Sequence, residues 1–229
     1  AQAILAQALL FKRKEHTFRP NMSAAENVLT IYGRTNSVSV QKVMWCVGEL
    51  GIPHNRVDIG MQFGKNTNNP QGHVPSIVDS DGLVVYESNV IVRYLCAKYG
   101  GATTLWPTDP GARAQGDIFM DLCFQITPCM VTVFWNLVRT EPKDRDMVAV
   151  AEAAKKLGEE WTKINDVLEK RDYLGGDTFS MGDIPLGCHA HRYFALDIER
   201  PPLPRVEAWY ERLKQRPAYV EHVSGLPLS

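Results

Sequence analysis

The chain changes pattern once, across residues 100–111, and that change limits the fold to two units. Before it, short β-rich runs alternate with single amphipathic stretches. After it, every periodic stretch repeats at helical spacing. Residues 100–111 contain Pro107 and Pro110 and show no periodicity, the composition of a linker between domains.

The first unit has a definite order. Residues 28–32 predict a strand, and residues 33–36 turn the chain. Residues 37–50 carry Val40, Val43, Met44 and Val47 at helical spacing, with Gly51 as the stop. Residues 53–59 return as a second strand, completing a βαβ unit that should be parallel and right-handed. Residues 60–72 hold three glycines, three asparagines and Pro70, an irregular polar loop. Two short strands, residues 76–78 and 83–86, flank Asp79-Ser80-Asp81-Gly82, a hairpin signal. Ser88 starts a helix through Tyr99, with Val90, Ile91, Tyr94 and Leu95 facing inward. The sum is a four-stranded mixed sheet with helices.

The second unit reads as helical throughout. Residues 112–138 form a long helix with Pro128 as a point of kinking. Residues 144–171 form another, with Met147, Val150, Leu157, Trp161, Ile164 and Leu168 on one stripe. A third begins at Ser180, where Ser180-Met181-Gly182-Asp183 resembles a capping box with Asp in place of Glu. The last spans residues 204–215 and stops before Pro217. The class is α+β.

Composition excludes several functions. The 25 basic and 26 acidic residues are interspersed, leaving no nucleic-acid footprint. Cys46, Cys96, Cys123, Cys129 and Cys188 are odd in number and widely spaced, which suits a reducing compartment rather than a disulfide framework. His189 and His191 fall on different helix faces, and no Cys/His spacing predicts a metal site. No run of about 18 apolar residues predicts a membrane span. Residues 1–26 read as an N-terminal extension, with Met22 close before the first strand. Its apolar run precedes its charges, the wrong order for a signal peptide.

Three short pieces carry chemistry. Ser37, before a helix, is either an N-cap or a hydroxyl donor to a ligand thiolate. Moving a thiol from about 8.5 to about 6.5 needs roughly 2.7 kcal/mol of preference for the thiolate. Pro75 removes a backbone donor, so it lies on an edge, opens the strand outside the ladder, or follows a cis bond. A cis bond would turn the Val74 N–H and C=O toward a ligand backbone. Ser88 is either a plain N-cap or part of a carboxylate site. Glu87 beside it would face an ammonium, and a group carrying both charges is an α-amino acid end.

Taken together, Tyr32-Gly33-Arg34-Thr35-Asn36-Ser37, Gly72-His73-Val74-Pro75-Ser76 and Tyr86-Glu87-Ser88-Asn89 resemble the glutathione transferase family. The likeness covers residues 27–100 by motif and the helical remainder by pattern. It implies a thioredoxin-like, glutathione-binding domain over residues 27–101 and an all-helical domain over residues 110–229. It further implies a cytoplasmic homodimer that uses glutathione as co-substrate, with no metal, nucleic acid or membrane. Ser37 matches the catalytic serine of theta-like classes, with Asn36 and Ser39 as rival donors. Val74 and Pro75 match the element that pairs with the cysteinyl backbone, and Glu87 and Ser88 the pair that binds the γ-glutamyl end. His73 and Lys65 match the positions that meet the glycyl carboxylate. The resemblance puts the electrophile pocket between the domains, with Met120, Phe124, Thr127 and Trp135 as candidate apolar walls and Arg34 facing the cleft or a surface acid.

The departures narrow the chemistry. Cysteine classes would need Cys at position 37, and zeta-like isomerases a Ser-Ser-Cys-Ser motif where this chain has Asn36-Ser37-Val38-Ser39. The expected activity is conjugation of glutathione to an apolar electrophile. The alternatives are glutathione-dependent reduction of peroxides or disulfides, and a non-catalytic ligand-binding or scaffold protein.

Overall fold

The computed structural model describes residues 28–101 and 103–229. The N-terminal extension, with Met22, lies outside them. Strand β1 (Leu29–Tyr32) is followed by α1 (Val38–Leu50), β2 (His54–Val57), β3 (Ser76–Val78), β4 (Val84–Tyr86) and α2 (Ser88–Tyr99). The sheet order is β2-β1-β3-β4. β1 runs parallel to β2 and antiparallel to β3, and β3 is antiparallel to β4. This is the thioredoxin-like arrangement with a mixed four-stranded sheet.

Gly51 ends α1 in the left-handed region, φ +61°, where a Cβ would be strained. One inward assignment on α2 changes. Val90 is 47% exposed, while Asn89 is 3% exposed and donates to the Met120 carbonyl. The inward stripe is Asn89, Ile91, Val92, Leu95 and Cys96, because the amide gains a buried acceptor that a valine cannot use. Asp79, in the hairpin, accepts bonds from Lys98 at 2.8 Å, from Tyr94 and from Tyr99, fastening the β3–β4 turn to α2.

The second unit holds α3 (Pro110–Phe134), α4 (Met147–Val167), α5 (Asp183–Ala195) and α6 (Pro204–Lys214). α3 passes through Pro128 as one helix, and the irregularity comes later as a π turn, Trp135–Arg139. By length and composition residues 110–139 are apolar enough to cross a membrane. The helix instead buries Phe119, Met120, Cys123, Ile126, Met130, Val133 and Phe134 in the core. Pro217 does more than end α6: it opens a further helical turn, Pro217–Tyr219, that continues as a π turn over Val220–Ser224.

The box at Ser180 forms at the start of α5, and its acid carries more than a cap. Asp183, fully buried, accepts from the N–H of Ser180 at 2.9 Å, the N–H of Leu174 at 2.8 Å and Trp209 Nε1 at 2.9 Å. α3 crosses here at backbone contact: a Cβ on Gly182 would stand 2.6 Å from the Gly116 carbonyl oxygen. Burial pushes the Asp183 carboxyl up to about 6, against the pull of its donors.

Asp183→Ala would leave three buried donors unpaired, at about 1–3 kcal/mol each before relaxation. A net loss of about 4 kcal/mol should lower the melting midpoint by roughly 10 °C. The native carboxyl holds its proton to higher pH than the unfolded chain, where it titrates near 3.9. This group's contribution is therefore full below about pH 4 and is lost as pH rises through about 6. Urea unfolding between pH 4 and 7 should show that component in the wild type and not in Asp183→Asn.

Candidate active site

Ser37 occupies the N-cap position of α1 with extended backbone, φ −84° and ψ 122°, and its carbonyl accepts from the Gln41 N–H at 2.9 Å. Its hydroxyl makes no capping bond. The residue is 8% exposed and borders a cavity of about 410 Å³. Ser39, in the first turn of α1, borders the same space.

The opposite wall comes from the loop that sequence reading left irregular. Asn66 Nδ2 donates to the His73 carbonyl at 2.7 Å and to Ser76 Oγ at 2.9 Å. Asn69 Nδ2 donates to the same carbonyl at 3.2 Å. Between these anchors the Val74–Pro75 bond is cis, and Pro75 stands just outside the ladder that begins at Ser76. The Val74 N–H and C=O have no hydrogen-bond partner among the described residues. Gly60, φ +95°, sits behind them, where a Cβ would come within 3.0 Å of Val74 Cγ1 and 3.1 Å of Arg34 Nη1.

At the third wall, Glu87 is the N-cap of α2, with φ +70°. Its carbonyl accepts from the Ile91 N–H at 2.9 Å. Ser88 is therefore the first helical residue and not the cap, which corrects the sequence reading. Neither side chain caps the helix, and both border the cavity. An uncapped helix start is an anion site, because its first N–H groups have no partner in the helix. His73 also borders the cavity, whereas Lys65 is exposed and lays its stem across Gly72.

The remaining expected residues divide. Arg34 borders the cavity. Asn36 is turned away: its amide donates to Ser229 Oγ at 3.0 Å. Met120 is fully buried in the core. Thr127 donates to the Cys123 carbonyl at 2.7 Å and meets His189 Nε2 at 3.2 Å. Phe124 and Trp135 are 57% and 47% exposed and lie outside the cavity lining. The π turn after α3 brings Arg139 against Met61, which borders the cavity: its Nη1 lies 3.5 Å from Met61 Sδ. Arg192, from α5, donates to the Asn36 carbonyl at 3.0 Å and lies 4.0 Å from the Phe134 ring centroid. Burial, with Arg139 and Arg34 nearby, pushes Arg192 down to about 10. Burial also lowers Arg34 and Arg139.

A sulfur-bearing peptide with two carboxylates would find a hydroxyl, a free strand-like backbone and a bare helix start here. The known proteins agree. The sequence profile for the glutathione S-transferase N-terminal domain matches residues 31–103, and that for the C-terminal domain residues 147–212. Glutathione S-transferase GstB of Escherichia coli is 34% identical over 88% of this chain and 100% of its own length. The chain belongs to the glutathione S-transferase family. Glutathione S-transferase 3 of Zea mays is 31% identical over 87% of this chain and 95% of its own. The theta class glutathione S-transferase of Xanthomonas axonopodis pv. citri, solved with glutathione bound, is 40% identical with a TM-score of 0.83. That match covers 88% of this chain and 99% of the solved one.

Sequence reading missed Asn66, Asn69, Arg139 and Arg192. The asparagines had a signal, since three of them crowd one loop before Val74, yet nothing local says which carbonyl they reach. Asn66→Ala removes two donated bonds in this transferase and should cost about 2 kcal/mol. It should weaken glutathione binding about tenfold by freeing the His73–Val74 backbone. Calorimetric titration and a melting curve measure both effects.

Proposed function

We propose that the protein activates glutathione as a thiolate at Ser37 and transfers that sulfur to a small electrophile. One observation carries this reading: the Ser37 hydroxyl stands at a helix start, bordering the cavity, with no capping bond. With glutathione bound it donates to the sulfur. Lowering the thiol from about 8.5 to about 6.5 takes roughly 2.7 kcal/mol. A hydrogen bond to a charged acceptor supplies about 1.5–3 kcal/mol, and the start of α1 adds about 0.3–1 kcal/mol. Ser39 is the second hydroxyl in reach of that space. Asn36 is left out, since Ser229 occupies its amide.

The rest of the lining binds. The Val74 N–H and C=O pair with the cysteinyl backbone. Ser88 and the first N–H groups of α2 take the γ-glutamyl carboxylate, and Glu87 takes its ammonium. His73 and Lys65 meet the glycyl carboxylate. The thiolate attacks the electrophilic carbon, a C–S bond forms, and the leaving group departs with its electron pair. Disulfide exchange through a protein sulfur has little support. Cys46, Cys96, Cys123 and Cys188 are buried, and Cys129 lies outside the cavity lining. Cys46 and Cys96 stand as free thiols 3.6 Å apart, which suits the reducing cytoplasm.

A homodimer is supported by exposed apolar residues on adjoining elements. Tyr86, Val90 and Phe124 lie on β4, α2 and α3, and Arg93 ties α2 to α3 through Asp117 and Asp121, each at 2.6 Å. Sedimentation at micromolar concentration should give twice 25.7 kDa. Val90→Glu with Phe124→Glu should shift the protein toward monomer.

Ser37→Ala should raise the bound thiol's pKa by at least one unit, read from thiolate absorbance against pH. Turnover at pH 6.5 should fall at least about fivefold, following the thiolate fraction, while the dissociation constant for glutathione changes less than threefold. An unmoved thiol pKa would remove Ser37 from the role and leave Ser39 as the donor to test.

A further inference from the structure

Three guanidinium groups lie near one another beside the cavity, and no Asp or Glu side chain among the described residues pairs with them. Arg34 borders the cavity with its Nε buried and unpartnered among the described residues. Arg192 is 8% exposed, and its Nε is likewise unpartnered. One of its Nη atoms reaches the carbonyl of Asn36, the residue immediately before Ser37. Arg139 lies against Met61, which borders the cavity, and donates to the Ser229 carbonyl at 3.0 Å. Asp58, across the adjoining cleft from Arg34, is taken by Arg56 at 2.8 Å.

Like charges this close repel, and partial burial leaves the repulsion weakly screened. Two of these groups also hold buried donors with nothing to bind. An anion among them would relieve both conditions at once, and guanidinium suits a carboxylate by its paired N–H geometry. The carboxylates of glutathione have other places. One belongs at the start of α2, and the other at His73 and Lys65 on the far side of Val74. Arg192 instead touches the turn that presents Ser37, and both Arg139 and Arg192 come from the helical unit.

We infer that the electrophile carries a carboxylate, which Arg139 and Arg192 hold, with Arg34 beside them, while its reacting carbon faces the thiolate. The inference rests on the reading of this cavity as a glutathione site, and it replaces the expectation of an apolar electrophile. For a chloroarene the step is a simple displacement. The thiol proton leaves to solvent, and sulfur attacks the ring carbon that bears chlorine. The C–S bond forms, and the C–Cl bond breaks to release chloride. The carboxylate takes no part in the bond changes.

The test uses two matched glutathione conjugates, those of 4-chloro-3-nitrobenzoate and 4-chloro-3-nitrobenzamide, titrated calorimetrically into the full chain beside glutathione itself. The benzoate conjugate should bind at least tenfold tighter than the benzamide conjugate. That ratio should collapse toward one in Arg139→Gln and recover in Arg139→Lys, with melting curves verifying that each variant is folded. Arg192→Gln should act in the same direction. In wild-type turnover the preference should appear in KM for the free chloroarenes. Equal binding of the two conjugates overturns the inference and leaves the glutathione site standing. Equal loss of both conjugates in Arg139→Gln also overturns it, since the arginine would then act on the glutathione moiety. Failure of glutathione and both conjugates to bind overturns the site itself and the inference with it.

Discussion

Helix α1 belongs to two cores at once, and the position of everything catalytic depends on that. Residues 40–47 are all buried, including Gln41 and Lys42, so the helix has no solvent face along its middle. One side lies against the sheet and α2. The other receives α5 and the turns after Pro217. Trp45 is the joint: it packs on Tyr219 at 4.5 Å and Phe179 at 5.3 Å between ring centroids. Its six-membered ring fits where Gly187 has no side chain, since a Cβ there would stand 2.6 Å from it. Glu49 then links its indole N–H, at 2.8 Å, to the Arg216 guanidinium, at 2.6 and 2.7 Å. Full burial of side chains this size contributes about 1.5–3 kcal/mol each, so the helix is fixed along its length without help from its ends.

That fixing explains how a serine at a helix start has a spare hydroxyl. A side-chain cap typically contributes about 1 kcal/mol. A helix held by two cores can forgo it, and α2 does the same at Glu87 and Ser88. Two helices of the second unit do make theirs: Asp109 accepts from the Ala112 N–H at 2.7 Å and Asp146 from the Ala149 N–H at 2.9 Å. The uncapped starts of α1 and α2 border the same cavity. Polar groups that would ordinarily serve the fold are there kept open for a ligand.

What the sequence made legible follows the range of the interaction. The strands, the hairpin at Asp81-Gly82 and the stripe on α4 from Val150 to Leu168 depend on neighbours within a few residues and are where the pattern puts them, whereas Met147, at the first turn of α4, is 55% exposed. Ser37, Val74-Pro75 and Glu87-Ser88 stood out because each breaks local pattern beside a helix or strand start. Ser88 was misplaced by one position because the left-handed backbone of Glu87 is unusual for a non-glycine residue and leaves no local mark. The walls drawn from α3 do not line the cavity that Ser37 borders, for a similar reason. Helical spacing shows that Met120 and Thr127 share a face with the core, but not whether that face meets a cavity or the buried Asn89 and His189. Arg139 and Arg192 were invisible, since they lie 105 and 158 positions after Arg34 (139 − 34; 192 − 34).

Charge completes the logic of the site. Glutathione enters with two carboxylates, one ammonium and a thiol that becomes an anion. On the proposed reading the N-terminal unit answers the peptide with backbone and hydroxyl dipoles and with Glu87, His73 and Lys65. The helical unit would add Arg192, against the turn that presents Ser37, and Arg139, against Met61. A dipole at contact decides where the sulfur sits, whereas a partly buried guanidinium acts over several Å and is weakly screened by salt. A carboxylate on the incoming electrophile would compete for the same positive field that steadies the thiolate. Each would weaken the other's hold on it, and the transition state, which spreads the sulfur charge onto carbon and leaving group, would lose less of that field than the ground state does. The arginines would then favour reaction by gathering two anions and by gaining more from the carboxylate as the sulfur gives its charge away.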